Sequence, residues 1–286
     1  MMPMPQRGVA LISVLLIMAL ALLLTAGLLR SHRLTLHSSA QHIHQVQLRQ
    51  WALAVEDWAG QLLHNPQLAA TQNINLSQEW ARQPVAFNIP DAQVRLEIED
   101  LAGRFNLTPL LRPGKADEII LARWARLLEL LEIPAIDLTP LRGTEVSDPS
   151  QLRLIPGVDR TSLQRLLPWI ALLPGDATLN INTAGVLLLS TLEGVAATEA
   201  RTLIQQRPAE GYLDAGAFAL VSGLQGRGIA SHGLGVGSRW FRVTVDVSAG
   251  RNHLRLVSDL ERDPKTHRMR VVQRRFPAPT HSEPPS

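Results

Sequence analysis

Cysteine is absent from the 286-residue chain, which excludes disulfides, thiolate metal sites and a cysteine nucleophile. Lysine is nearly absent as well. Only Lys115 and Lys265 occur, so arginine carries the positive charge. The net charge is +3, without the large clustered excess of a nucleic-acid binder. The densest basic run, Arg268, Arg270, Arg274 and Arg275, reads as a solvated strand edge blunted by charge. Two further absences are local. No charge falls between Val9 and Leu29, and no proline falls between Gln6 and Asn65.

What fills the first gap is an apolar run, VALISVLLIMALALLLTAGLL. As a helix rising 1.5 Å per residue it spans about 31 Å, the thickness of a bilayer core. A secretory signal has a shorter apolar region ahead of its cleavage site, so this run is expected to stay as a membrane span. The apolar pattern continues at spacings near three and four through Leu34, Leu36, Ile43, Val46, Leu48, Trp51, Val55, Trp58 and Leu62. One helix is therefore expected from the leader to Pro66, half in lipid and half packed on a folded domain. Its packing stripe is assigned to Leu34, Val46, Trp51, Val55, Trp58 and Leu62.

The stretch Val85 to Glu99 contains strand alternation at Val94, Leu96 and Ile98. Near the other end, Trp240 to Val247 alternates likewise and a Ser-Ala-Gly turn follows. His253 to Val257 is a second strand, and Val271 and Val272 lie in a third. These are expected to meet in one antiparallel sheet on the long helix. The middle, about Asn106 to Gly237, reads helical, with a Leu/Ala-rich helix at Ile119 to Leu131. Asn182 is expected to cap the helix after it. Glycines 223, 226, 228, 233, 235 and 237 read as a flexible connector.

The leader MMPMPQRG followed by an apolar helix resembles the type IV pilin and pseudopilin class. The match implies cleavage by a prepilin peptidase between Gly8 and Val9, with N-methylation of Val9. Most pilins carry Glu as the fifth mature residue; here that place is Ser13. A carboxylate in lipid needs a neutralising neighbour. A subunit without one needs none ahead of it, which is the logic of a tip subunit. Four segments in order are similar to K-type minor pseudopilins of type II secretion: Glu99 to Asn106, Leu179 to Ala184, Ser238 to Arg242 and Ser258 to Arg262.

The resemblance implies an α+β chain. A pilin-like fold has its long N-terminal membrane-spanning helix on an antiparallel sheet, and a large all-helical domain is inserted. It divides into a leader (1–8), a transmembrane part of the helix (9–29), a periplasmic part (30–65), a first sheet part (66–107), the insert (108–237), a second sheet part (238–276) and a disordered tail (277–286). It implies an inner-membrane, single-pass protein with its C-terminal domain in the periplasm. Its partners would be I- and J-type minor pseudopilins, the pseudopilus and prepilin peptidase, with exoprotein cargo or the secretin met at the tip. Its role would be to cap the pseudopilus tip and start its assembly.

Family members carry a longer acidic stretch associated with calcium. Here Asp137, Glu145 and Asp148 fall short of the six to eight oxygens calcium takes, so no calcium site is placed and no other cofactor is expected. The alternative is a membrane-anchored helix-hairpin-helix DNA-binding protein of a DNA-uptake system, since Asn-Ile-Asn-Thr-Ala also resembles those domains. Against it, the second hairpin glycine is replaced by Asp159 in one element and Ala196 in the other, and Asp159 would repel phosphate. Nucleic acid is therefore not an expected partner. No nucleophile stands with a base and an orienting group, and His42 and His44 face different ways on the helix, so no enzyme is expected.

Overall fold

The computed structural model describes residues 7–65, 73–82, 84–90, 92–221, 224 and 231–277, without the side chains at 7–10, 12, 29, 31–41 and 88. The leader up to Gln6, the helix-ending Pro66, glycines 223, 226 and 228, and the tail beyond Pro277 lie outside the described residues.

With neither proline nor a glycine pair to break it, the N-terminal segment is one 57-residue helix, α1 (Arg7–Leu63). The side chains described without interruption at its start, 13–28, are uncharged and exposed. That stretch alone covers about 24 Å at the helical rise, less than a bilayer core. Among the described residues no helix is long and apolar enough to cross a membrane. The full run from Val9 to Leu29 includes side chains outside the description.

The second half of α1 lies on a five-stranded antiparallel sheet built from β1 (Val85–Ile89), β2 (Ala92–Asp100), β7 (Trp240–Ala249), β8 (Asn252–Arg262) and β9 (Met269–Arg275), in the order β1-β2-β7-β8-β9. Strand alternation sorts the two faces. In β2 every second residue is buried, and Val94, Leu96 and Ile98 join Phe241, Val243, Val245, Leu256 and Leu260 against the helix. The helix answers with Leu48, Ala52, Val55, Ala59 and Leu63 at four- and three-residue steps. Two alanines in that stripe let the helix axis approach the sheet closely. The stretch from Val85 to Glu99 is a hairpin rather than one strand, because the chain turns at Pro90 and pairs Ile89 with Ala92.

The arginine run near the C-terminus is more than a solvated edge. β9 is indeed the edge strand, and a bulge at Val272 interrupts its pairing with β8. However, Arg270 pairs with Glu261, Arg275 with Asp148 and Asp259, and Arg274 grips Glu56 through two bonds of 2.8 and 2.9 Å. Glu56 is a carboxylate on the buried side of α1, 2% exposed. A charge there is tolerable only when paired and hydrogen-bonded, so Arg274 ties the last strand to the helix.

Between β2 and β7 the chain makes a second core of its own, around Leu107, Leu110, Leu127, Leu152, Leu166, Leu188 and Phe218. Its helices are α2 (Thr108–Leu111), α3 (Glu118–Leu130), α4 (Arg160–Leu166), α5 (Val186–Leu189), α6 (Ala197–Gln205) and α7 (Ala215–Ala219). The expected Leu/Ala-rich helix is α3, started by Asp117, whose side chain accepts the N–H groups of Ile119 and Ile120. The segment is not all-helical. Two short parallel pairs, β3 (Phe105–Asn106) with β4 (Ile170–Ala171) and β5 (Leu179–Asn180) with β6 (Leu234–Gly235), bracket it.

Removing Arg274 strands the buried Glu56 carboxylate, whereas the Arg274 side chain, 41% exposed, keeps water as a partner when Glu56 is removed. Glu56→Ala and Arg274→Ala are each expected to destabilise the chain, and the double variant less than their sum, with a coupling of about 1–2 kcal/mol in urea denaturation. Additive losses would show that the two groups do not support one another.

Candidate functional site

The four segments singled out in the sequence meet at one place, where the inserted segment leaves and rejoins the sheet. Its centre is Asp100, the last residue of β2, 4% exposed. Asn180 Nδ2 donates to Asp100 Oδ2 at 2.8 Å and Thr183 Oγ1 donates to the same oxygen at 2.7 Å. The N–H of Ala102 donates to Oδ1 at 2.9 Å, which turns the chain out of the strand. Burial pushes the Asp100 carboxyl above its ordinary value, and hydrogen bonds from Ser238, Thr183, Asn180 and the Ala102 N–H pull it back. Ser238 introduces β7 by accepting the N–H of Trp240. From β8, Arg262 lies 5.4 Å above the Phe241 ring. Burial lowers its pKa and the Asp100 charge raises it.

A second layer is made of asparagines. Asn180 also donates to the carbonyl of Ile74 at 2.9 Å and accepts the N–H of Asn182 at 3.0 Å. Asn182 does not cap the following helix: α5 starts at Val186 after Gly185 as its N-cap, with no side-chain cap. Its amide instead reaches across the fold, donating to Asn73 Oδ1 at 2.9 Å and to the carbonyl of Tyr212 at 3.1 Å, and accepting the Tyr212 N–H at 2.7 Å. Asn73 and Asn75 in turn donate to the carbonyl of Glu210. The tripeptide Asn-Ile-Asn therefore occurs twice, at 73–75 and 180–182, and the copies lie against one another with Ile74 and Ile181 buried.

Close approach is required at two glycines. A Cβ on Gly103 would stand 2.9 Å from Thr183 Oγ1, and one on Gly211, at φ +72°, would stand 2.7 Å from Asn182 Cγ. At the outer end of the first segment Arg104 pairs with Glu99. Asn106 accepts the N–H groups of Thr108 and Leu173, joining β3 to the start of α2 and to the chain just beyond β4.

Other residues expected to matter are placed elsewhere. Gly8 and Val9 lie in the first turn of α1, and Ser13 is exposed on it. Of the packing stripe, Val55 is buried against the sheet and Trp51 and Leu62 are half-buried. Val46 and Trp58 are exposed, and the Leu34 side chain lies outside the described residues. Trp58 meets Phe87 of β1 edge-on at 5.3 Å. Two of the three acidic residues considered for calcium, Asp137 and Asp148, have other work. Asp137 accepts the Thr139 N–H, while Asp148 accepts the Ser150 N–H and pairs with Arg275. Among the described residues no three carboxylate or histidine side chains gather to hold a metal. Asp159, set against phosphate in the hairpin reading, caps α4 by accepting the N–H of Ser162. Sequence reasoning missed Asn73, Asn75, Tyr212 and Glu56; the repeated Asn-Ile-Asn was the one available signal for the first two.

Comparison with known proteins follows the same outline. Residues 179–237, starting at Leu179 ahead of the second Asn-Ile-Asn, match the family model for type II secretion system (T2SS) protein K. The type II secretion system protein K of Pseudomonas aeruginosa is 30% identical over 94% of this chain and 92% of its own length. That of Klebsiella pneumoniae is 30% identical over 95% and 96%. A chain in the crystal structure of the GspK-GspI-GspJ complex from enterotoxigenic Escherichia coli superposes with a TM-score of 0.72 at 24% identity, over 85% of this chain and all of that one.

Asp100→Ala removes an acceptor from Asn180, Thr183 and the Ala102 N–H together, an expected loss of about 3 kcal/mol or more. The pH dependence has a definite sign. A raised folded pKa means that folding favours the protonated acid, so the contribution is greatest below the ordinary value of 3.8 and is lost as pH rises through the folded value. The stability of the wild type minus that of Asp100→Asn should therefore fall as pH rises from about 4. Urea denaturation across pH checks this; a flat or rising difference would refute it.

Proposed function

Because this chain belongs to the type II secretion system protein K family, we propose that it is the tip subunit of a pseudopilus that starts fibre assembly and is not itself an enzyme. The observation that carries the reading is the topology. The inserted segment enters and leaves between adjacent strands β2 and β7 and is pinned there by the Asp100 junction. A fibre built on α1-type helices grows by packing them side by side. A subunit carrying so large a second lobe beyond the sheet fits at the end of such a fibre and leaves no room for another above it.

The uncharged run from Val9 to Leu29 supports an inner-membrane span with the folded part in the periplasm. On this reading a prepilin peptidase cuts between Gly8 and Val9, and Val9 is methylated. Ser13 in place of a carboxylate suits a subunit with no neighbour ahead of it. The solved relative is a complex of K-, I- and J-type proteins, which supports I- and J-type minor pseudopilins as the partners of this chain. The inserted segment is then the part that meets secreted proteins or the secretin.

Two measurements test the reading. Mass spectrometry of the membrane-extracted chain should find an N-terminus of methylated Val9 when prepilin peptidase is present and the uncut leader when it is not; a different N-terminus sinks the assignment. Ser13→Glu places an unneutralised charge in lipid, at a cost of about 3 kcal/mol. It should reduce export severalfold in a secretion assay, and full export by that variant would contradict the tip position.

A further inference from the structure

The carboxylates of this chain are unevenly placed. All 25 of them lie from Glu56 onward, and the residues before it hold four arginines, four histidines and no acid. Arg30, Arg33 and Arg49 follow the uncharged run, and only Arg7 precedes it. On the orientation proposed above this reverses the usual cytoplasmic excess, so the basic residues need a partner where they stand. Arg30, Arg33, His37 and His44 follow one another at steps of three, four and seven, and steps of four and seven then lead to Leu48 and Val55, which are buried against the sheet. These positions therefore form a row about 21 Å long on the sheet side of α1, ahead of the sheet itself. Arg30 and His44 are exposed in it.

The sheet turns a basic end toward this row. Gly60 lies beside Leu260 and Met269, Glu56 holds Arg274, and Arg49 stands 4.7 Å over the Phe276 ring. β9 thus runs back along α1 towards its N-terminal half. β8 pairs Val257 with Arg275 and extends past that pair to Asn252, so the β7–β8 turn is the sheet end nearest the row. There Arg251 and His253 are exposed, and Arg251 has no ion-pair partner among the described residues. Arg255 is committed to Asp246 at 2.6 Å. The neighbouring β1–β2 turn adds a single acid, Asp91.

We propose that this end of the subunit rests on a surface of anionic phospholipid headgroups while the chain is held in the membrane. The inference rests on the membrane span proposed above. The four residues after Leu29 rise about 6 Å, the depth of the headgroup layer, and they include Arg30, His32 and Arg33. Arginine matches a phosphate with paired N–H groups. Spans tilt by about 20°, and a tilt toward the sheet side of α1 lowers the β7–β8 turn onto the same surface. An acidic polypeptide is the competing partner. Lipid is favoured because the row starts where the uncharged run ends, at headgroup depth.

The test reconstitutes the full chain in phosphatidylcholine vesicles carrying trace spin-labelled phosphatidylglycerol or phosphatidylcholine. Electron spin resonance reads how much of each lipid is immobilised at the protein. Resistance to alkaline extraction is read first. A chain stripped off by alkali would sink the membrane span itself. In an integral chain the anionic label should be preferred at least threefold, and 0.5 M salt should weaken that preference. Arg30→Gln with Arg33→Gln should remove more than half of it, the remainder belonging to Arg7 and Arg251, and Arg251→Gln alone should lower it by a smaller factor with an unchanged thermal midpoint. An integral chain with equal affinity for the two labels, or one whose preference survives these substitutions, would overturn the inference while leaving the span intact. Equal affinity combined with lost co-purification of I- and J-type proteins in the Arg30→Gln, Arg33→Gln chain would assign the row to a protein partner instead.

Discussion

A single carboxylate, Asp100, is the group on which the two halves of this molecule depend. It ends a sheet strand and is buried, and its donors come from the inserted segment and from the turn at the strand end. Burying a charge is costly, and a well-packed apolar contact of the same shape could be as stable or more so. What the carboxylate adds is direction. Asn180 and Thr183 converge on one oxygen and the Ala102 N–H takes the other, so the inserted segment can meet the sheet in only one orientation without stranding a buried donor. The asparagine layer behind it works in the same way, since Asn182 is satisfied only when residues 73 and 212 are both in place.

The same logic, a buried charge answered by one partner, recurs between helix and sheet. Glu56 lies among apolar neighbours on α1 and is held by Arg274 of the edge strand. The helix, the sheet and the inserted segment are thus joined by polar groups set among apolar ones, with the pair between Arg275 of the edge strand and Asp148 a further link from sheet to inserted segment. For a component of a fibre this arrangement carries position from one end of the subunit to the other. Apolar packing supplies the cohesion of each core, and the polar groups set how the cores stand relative to one another.

Much of the fold is legible in the sequence because it follows from period alone. The absence of proline marks the helix, and the alternation in Val94 to Ile98 and Trp240 to Val247 marks two central strands. The hairpin at Pro90 was blurred because two antiparallel strands with a tight turn leave a continuous apolar pattern. The candidate site was half legible. The four segments stood out in order, yet nothing local reveals that they touch, because hydrogen bonds such as Asn180 to Asp100 join residues far apart in the chain. Asn182 misled for the same reason: an asparagine before a helix has the chemistry of a cap, and only the fold shows its amide taken by Tyr212 and Asn73. Glu56 was invisible because a lone acid on a helix is ordinarily solvated.

The absence of native cysteine allows the central claim to be measured cleanly. Two cysteines introduced at the exposed positions Glu97 on β2 and Arg201 on α6 can carry spin labels, and electron–electron resonance reads the distance between sheet and inserted segment. If Asp100 orients one against the other, the otherwise native chain gives a single narrow distribution, and Asp100→Ala broadens or shifts it while each core stays folded. An equally narrow, unshifted distribution in the Asp100→Ala chain would contradict the account.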